Sequence, residues 1–312
     1  MAVNLNVGNE GLSRLMAKLH DGRTIEYYPK IIGEGATKQV YLTKDNQSVI
    51  GFYKNCKINF ALHRLTHLQK VLTSFNPTIS NKYWQELFCW PTNIVVKPKF
   101  GVMMPIYPNN FLFSSGRWRG KIKKSRWFIS PKLSHYLPVA EQGSWIDYFK
   151  ISILLARAVS RLHLSGLAHS DLSDNNILID PTTGKMLITD IDTLVVPKMS
   201  IPEVDGTPGY IAPEVLATIE LSSENSNKNL ANIYTDQHAL AVLIYELLLN
   251  RHPLRGPKIN STSSAATDEY LSMGELALFI EHPTDFSNHL VTTQPLSILG
   301  APLTKLFHHL SF

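Results

Sequence analysis

Acidic residues nearly vanish from one long stretch of this chain: between Asn55 and Ala140 there is only Glu86. Cysteine is just as scarce, with Cys56 and Cys89 the only two in 312 residues. A chain this long buries enough apolar surface to fold without covalent staples, so reduced thiols fit better than a disulfide framework. Charge is thin overall, at 18% Asp, Glu, Lys and Arg, against about 25% in ordinary soluble domains. No apolar run approaches the ~20 residues needed to span a bilayer. Residues 1–7 show neither a basic leader nor the apolar core of a secretory signal. The expectation is a cytoplasmic protein with no membrane contact. A hydrophobic fraction of 44% excludes a disordered chain, and the net charge of +5 suits acidic substrates as well as nucleic acid.

The polar residues that are present are concentrated. His169-Ser170-Asp171-Leu172-Ser173-Asp174-Asn175-Asn176 is followed, fourteen residues after Asn176, by Asp190-Ile191-Asp192. Phosphoryl transfer from a magnesium nucleotide needs one Asp facing the incoming hydroxyl, and an Asp and an Asn holding the metal. Asp171 suits the first role; Asn176 and Asp190 suit the second. Between them, Ile177-Leu178-Ile179 and Met186-Leu187-Ile188 read as two short strands joined by a turn at Asp180-Pro181-Thr182-Thr183-Gly184. Such a hairpin returns Asn176 and Asp190 to the same end.

Other segments fall in a matching order, and with them the chain resembles the eukaryotic-like protein kinases. Gly33-Glu34-Gly35-Ala36-Thr37-Lys38-Gln39-Val40 resembles the glycine-rich loop over the nucleotide phosphates, with Lys38 at the third glycine position. Ser48–Lys54 resembles the third strand, ending in the phosphate-binding lysine, here Lys54. Val102–Pro108 resembles the fifth strand and hinge, placing Met104 and Ile106 beside the base. Gly206-Thr207-Pro208-Gly209-Tyr210-Ile211-Ala212-Pro213-Glu214 resembles the end of the activation segment. Asp236 opens a helix through Leu249 that is apolar nearly all round, hence buried, and its Asp supports the catalytic loop in that family. The Ala-Pro-Glu triplet and this helix separate the resemblance from aminoglycoside and choline kinases.

The resemblance implies an α+β, two-lobed fold: an arm at 1–24, a small β lobe at 25–107 and a helical lobe at 108–312 that lacks its last helices. It implies ATP and Mg2+ as cofactors and protein Ser/Thr hydroxyls as acceptors. Asp171, Lys54 and Asn176 would be catalytic. Gly33, Glu34, Gly35, Val40, Lys54, Met104 and Ile106 would meet the nucleotide, and Asn176 and Asp190 the metal. The flavour of residues 90–95, 190–197 and 251–258 is that of a bacterial branch whose members associate with phosphatase and stress-response partners. A pseudokinase or scaffold is the alternative, and a small-molecule kinase a third.

Departures from the family sharpen the expectations. The helix glutamate that pairs with the strand lysine is missing, leaving Glu86 as the candidate. Ser170 replaces the arginine that grips an activation-loop phosphate, so activity should need no phosphate there. Ser173 replaces a lysine beside the γ-phosphate, Asp192 replaces a glycine, and Phe52 sits where alanine lies above the adenine. Glu214 lacks its late arginine, with Arg251 or Arg255 as substitutes.

Leu12, Leu15, Met16 and Leu19 have helical spacing, as do Ala61, Leu62, Leu65, Leu68, Val71 and Leu72. A longer helix is expected from Ser144, its N-cap, to Leu164. Residues 115–128 carry six cations and three aromatics between Arg117 and Phe128, with no acid. Such interleaving serves single-stranded nucleic acid, an acidic protein partner, or a solvated loop whose rings tuck against the helical lobe. The last reading is preferred and nucleic acid is not expected.

Overall fold

The structure is a computed structural model and describes residues 13–54, 58–197, 199, 206–222, 225–259, 264–291 and 294–309. Apolar residues between positions 15 and 105 build six antiparallel strands: β1 (Leu15–Leu19), β2 (Thr24–Glu34), β3 (Lys38–Thr43), β4 (Ser48–Tyr53), β5 (Asn93–Lys97) and β6 (Gly101–Pro105). They close into a barrel in the order β1-β2-β3-β4-β6-β5. The helical spacing in the arm does not yield a helix. Ala17 and Leu19 are buried while Leu15, Met16 and Lys18 are exposed, which is the two-residue period of a strand closing the barrel against β2 and β5. Leu12 lies outside the described residues.

After β4 comes α1 (Ile58–Leu72), whose Leu68 packs with Tyr53 and Ile94 of the barrel. The larger lobe is organised by α2 (Trp145–Leu164) and α3 (Ile233–Leu249). A capping box between Ser144 and Asp147 starts α2, satisfying backbone donors that would otherwise be orphaned. Its Ile151, Leu155, Ala158 and Leu162 are buried with Ala239, Val242, Leu243 and Leu247 of α3 in one core. Leu154 is half-buried beside it. The expected hairpin is β7 (Ile177–Asp180) and β8 (Lys185–Ile188), with Ile177 opposite Ile188. Two further helices, α4 (Ala265–Met273) and α5 (Ala301–His309), complete the described chain. Among the described residues no helix is long and apolar enough to cross a membrane.

The basic segment braces this lobe. Trp118 and Trp127 pack at a tilt of 51° with ring centres 4.5 Å apart, and the Arg117 guanidinium lies 4.4 Å from the Tyr136 ring. Phe128 is buried. Lys123 is buried between Glu141 (3.0 Å) and Asp180 (3.4 Å). Backbone amides of Ser125 and Arg126 donate to Ile177 O and Asp174 O, fastening the segment along the loop that leads into β7.

Candidate active site

The loop from His169 to Asn176 is held from beneath. The buried Asp236 at the start of α3 accepts the His169 backbone N–H at 2.7 Å and faces His163 Nε2 at 3.0 Å. His169 Nε2–H donates to Thr189 O, 2.8 Å away. With those supports fixed, Ser170 adopts a left-handed φ of 55° and Asp171 is left half-buried. Thr207 Oγ1–H donates to Asp171 Oδ1 at 2.7 Å, while Asn176 Nδ2 donates to Asp171 O and Oδ2, both at 2.8 Å. Asn176 therefore spends its amide nitrogen on Asp171 and keeps its oxygen as an acceptor. Ser170 Oγ donates to Thr193 O at 3.1 Å and so is engaged within the loop. Of the stretch between Asp192 and Gly206, where an activation-loop phosphate would sit, residues 198 and 200–205 lie outside the described residues.

The hairpin delivers the second carboxylate. Thr189 N–H donates to Asn176 O at 2.9 Å, which sets Asp190 beside Asn176 at one end of β7–β8. Asp190 has φ 58° and a side chain 39% exposed to the cleft. Asn176 and Asp190 are oxygen donors of the kind magnesium takes, one carboxylate and one amide carbonyl. The residues present fit a magnesium nucleotide.

The cation at these carboxylates is Lys38 rather than Lys54. Lys38 Nζ lies 3.1 Å from Asp190 Oδ1, and 2.7 and 2.9 Å from the oxygens of Asp192. Burial lowers its proton affinity, but the carboxylates of Asp192 and Asp190 more than reverse this. Lys54 pairs instead with Glu34 at 2.7 Å, a largely solvent-facing contact at the tip of the β2–β3 turn. The reason is strand parity. Tyr53 turns its hydroxyl inward to Asp192, so Lys54 must point the other way. Gly51, on the same face as Tyr53, has no side chain to contest the space Lys38 fills. Phe52 correspondingly packs on the opposite face, 5.5 Å from the rings of both Tyr27 and Tyr41, and does not lie over a base.

Glu86 is not the partner either. It is exposed at the end of a short helix, Lys82–Gln85. The acid that holds Lys38 is Asp192, fully buried on the turn Ile191–Thr193, with Arg64 Nη2 of α1 at 3.7 Å. Burial raises the Asp192 pKa, yet Lys38 and Arg64 pull it below the usual carboxylate range.

Next to these charges lies an apolar slot between the lobes. Val40, Val49 and Met104 from the barrel meet Leu178 and Leu187 from the hairpin, with Ile106 and Tyr107 partly buried against them. The Ile106 N–H donates to Gln47 O at 3.1 Å and continues the sheet. Tyr107 is partly buried against this slot with its hydroxyl near Thr189, Asp190 and Lys38, and burial raises its pKa well above the ordinary phenol value. Gly33 and Glu34 end β2 opposite Val40 and Gln39, and Gly35 opens the turn above, its N–H donating to Lys38 O at 2.9 Å.

On the acceptor side, a cavity of about 470 Å³ opens beside Thr207, lined by Arg126, Asp174, Tyr210, Glu246 and Arg255 among others. Neither candidate arginine serves Glu214: Arg251 pairs with Glu281 at 2.7 Å and Arg255 with Glu269 at 2.5 Å. Glu214 is exposed and needs no buried partner. Ser173 is buried, its hydroxyl in hydrogen-bonding contact with that of Thr207 at 3.1 Å, and brings no charge.

A barrel lobe joined to a helical lobe, with a lysine and two carboxylates where they meet, defines the two-lobed kinase fold. Residues 141–296, half of the chain, match the family model "Protein kinase domain", and the chain belongs to that family. It is 27% identical over 159 residues to human citron Rho-interacting kinase, covering 48% of this chain and 7% of that protein. It is 31% identical over 118 residues to the probable serine/threonine-protein kinase gdt4 of Dictyostelium discoideum, covering 36% and 7%. These relatives extend far beyond the matched region. Among solved structures, a rhoptry kinase from Toxoplasma gondii superposes with a TM-score of 0.52 at 13% identity, covering 95% of this chain and 83% of that one. The Cydia pomonella granulovirus kinase PK-1 gives 0.51 at 17%, covering 84% and 82%. At those identities the structures speak for the fold alone.

Proposed function

We propose that this chain is an ATP- and magnesium-dependent protein kinase acting on Ser or Thr hydroxyls of a protein substrate. The observation that supports this reading is the convergence of Lys38, Asp171, Asn176 and Asp190 on one cleft. Asp171, steadied by Thr207 and Asn176, would orient the acceptor hydroxyl and receive its proton as the oxygen bonds to the γ-phosphorus. The bond from that phosphorus to the bridging oxygen breaks, and ADP leaves. Lys38 would bind phosphate oxygens. Asn176 Oδ1 and Asp190 would hold magnesium, which when bound neutralises phosphate charge. The strand end and turn at Gly33–Gly35 would cover the phosphates, and Val40, Met104 and Ile106 would line the base. A cytoplasmic setting suits the chemistry, since ATP is abundant there.

A non-catalytic nucleotide-binding or scaffold role is the second reading, favoured by Tyr107 against the apolar slot and the uncharged Ser173. Purified protein incubated with Mg2+ and labelled ATP, beside Asp171→Asn and Asp190→Asn, separates the two. Label transferred to protein by the wild type and lost in both variants supports the kinase; nucleotide binding without transfer supports the scaffold.

A further inference from the structure

We propose that Asp192 is the residue that positions Lys38, so that the lysine is set by the turn after the hairpin and not by α1. The inference rests on the kinase reading. Asp192 is wholly buried, and both its oxygens are taken: Oδ1 by Lys38, and Oδ2 by Lys38 and the Tyr53 hydroxyl. Its own placement is over-determined. Thr193 Oγ1–H donates to Asp190 O at 2.8 Å, and Ala168 and Val195 exchange backbone bonds of 3.3 and 2.7 Å. The turn therefore belongs rigidly to the helical lobe while Lys38 rides on β3 of the barrel, and their ion pair spans 154 residues and both lobes.

A lysine ammonium has three protons. Two face Asp192 at 2.7 and 2.9 Å, and the third faces Asp190 Oδ1 at the longer 3.1 Å. Were Asp190 to hold a metal, the third proton would be free for a phosphate oxygen while Asp192 kept the other two. What α1 supplies is of opposite sign to a helix glutamate. Arg64 stands 3.7 Å from Asp192, balancing the second negative charge, and His67 Nε2–H donates to Leu194 O at 2.6 Å. Two acids thus face two bases, all buried except Asp190, which opens to the cleft. The helix contributes balance and the turn contributes position.

A double-mutant cycle tests this. Affinity for Mg·ATP, read by displacement of a fluorescent ATP analogue, and the melting temperature are measured for wild type, Asp192→Asn, Lys38→Met, the double variant and Arg64→Met. Asp192→Asn should weaken nucleotide binding about tenfold, because the lysine loses its anchor. The double variant should bind no more weakly than Lys38→Met alone, and Arg64→Met should stay within about threefold of wild type. The double variant should also melt above Asp192→Asn, since removing Lys38 relieves the stranded cation. If Asp192→Asn does not fold, that last comparison decides alone: a double variant equally unfolded makes Asp192 merely structural and overturns the inference. Folded Asp192→Asn that binds like wild type, or penalties that multiply in the double variant, overturn it too. Wild-type protein that binds no Mg·ATP defeats the kinase reading and this inference together.

Discussion

A Cβ on Gly51 would end 3.4 Å from Cδ of Lys38. Gly51 faces the cleft from the middle of β4, opposite Val40 of β3 and Val102 of β6, so its missing side chain is the space through which Lys38 reaches the carboxylates. An alanine there makes ordinary van der Waals contact with Lys38 and with Met104 Cε at 3.5 Å. Gly51→Ala should therefore change stability by less than about 1 kcal/mol. Gly51→Leu overpacks the site and should cost ~1–3 kcal/mol while expelling the lysine. Urea denaturation gives the first quantity and nucleotide titration the second.

Two lysines compete for the role of phosphate ligand, and the structure separates them. Lys38→Met should lower phosphotransfer by about 100-fold or more, the scale of losing one preorganised charge in a closed site. Lys54→Met breaks only the pair with Glu34, whose carboxylate is half exposed, and such surface pairs contribute ~0–1 kcal/mol. Its activity should stay within a few-fold of wild type. Initial rates for the two variants, measured side by side, check the assignment; equal losses would contradict it.

The large lobe was legible because its signals are local. A capping box opens α2, an all-apolar stretch makes α3, and β7–β8 is a hairpin with its own turn. Asp171, Asn176 and Asp190 belong to that local grammar, so their spacing alone places them together. Lys38, Asp192 and Arg64 do not. Their meeting depends on which face of β3 and β4 turns inward, and a slip of one residue exchanges the faces. Ser48–Lys54 matches a lysine-ending strand by position, yet Tyr53 and Gly51 hold the inner face. The legible hint was Lys38 at a glycine position, together with Asp192 where glycine is usual: a cation and an anion arriving as a pair. Nothing in the sequence signals the placement of Tyr107 against the slot, which depends on the chain path through the hinge.

Beneath the acceptor cavity, two buried groups should give opposing pH effects. Burial pushes Glu246 from 4.5 up to about 7, although the Tyr210 hydroxyl donates to it. Burial also lowers His252 from 6.5 to about 3, consistent with a neutral ring whose Nε2–H donates to Gly209 O at 2.8 Å. Between pH 4.5 and 7 the unfolded chain releases the Glu246 proton while the native state keeps it, so this group's contribution to stability falls as pH rises. For His252 the unfolded chain holds the extra proton between pH 3 and 6.5, so its contribution rises with pH. The two oppose each other from about pH 4.5 to 6.5. Glu246→Gln removes one arm, and the stability of this variant minus wild type should climb by roughly 2–3 kcal/mol from pH 4.5 to 7 and then level off. Denaturant midpoints across that range measure the difference; a flat difference curve refutes it.

Tyr107 packs, partly buried, against the apolar slot that a nucleotide base would need, and its ring is expected to compete with the base. The ring packs against the cluster containing Val40, Val49, Leu178 and Leu187, and its hydroxyl lies near Thr189. A base would then enter only when the ring leaves, so apparent affinity would be reduced by the fraction of molecules with the ring out. Tyr107→Ala removes that competition and should tighten ATP binding, by about tenfold if the inward state is favoured by ~1.4 kcal/mol. Tyr107→Phe keeps the ring and removes only the buried hydroxyl, so it should bind more weakly than the alanine variant and close to wild type. Alanine binding most tightly, with phenylalanine close to tyrosine, identifies a plug. If alanine binds most weakly, the ring instead stacks on the base and belongs to the nucleotide site.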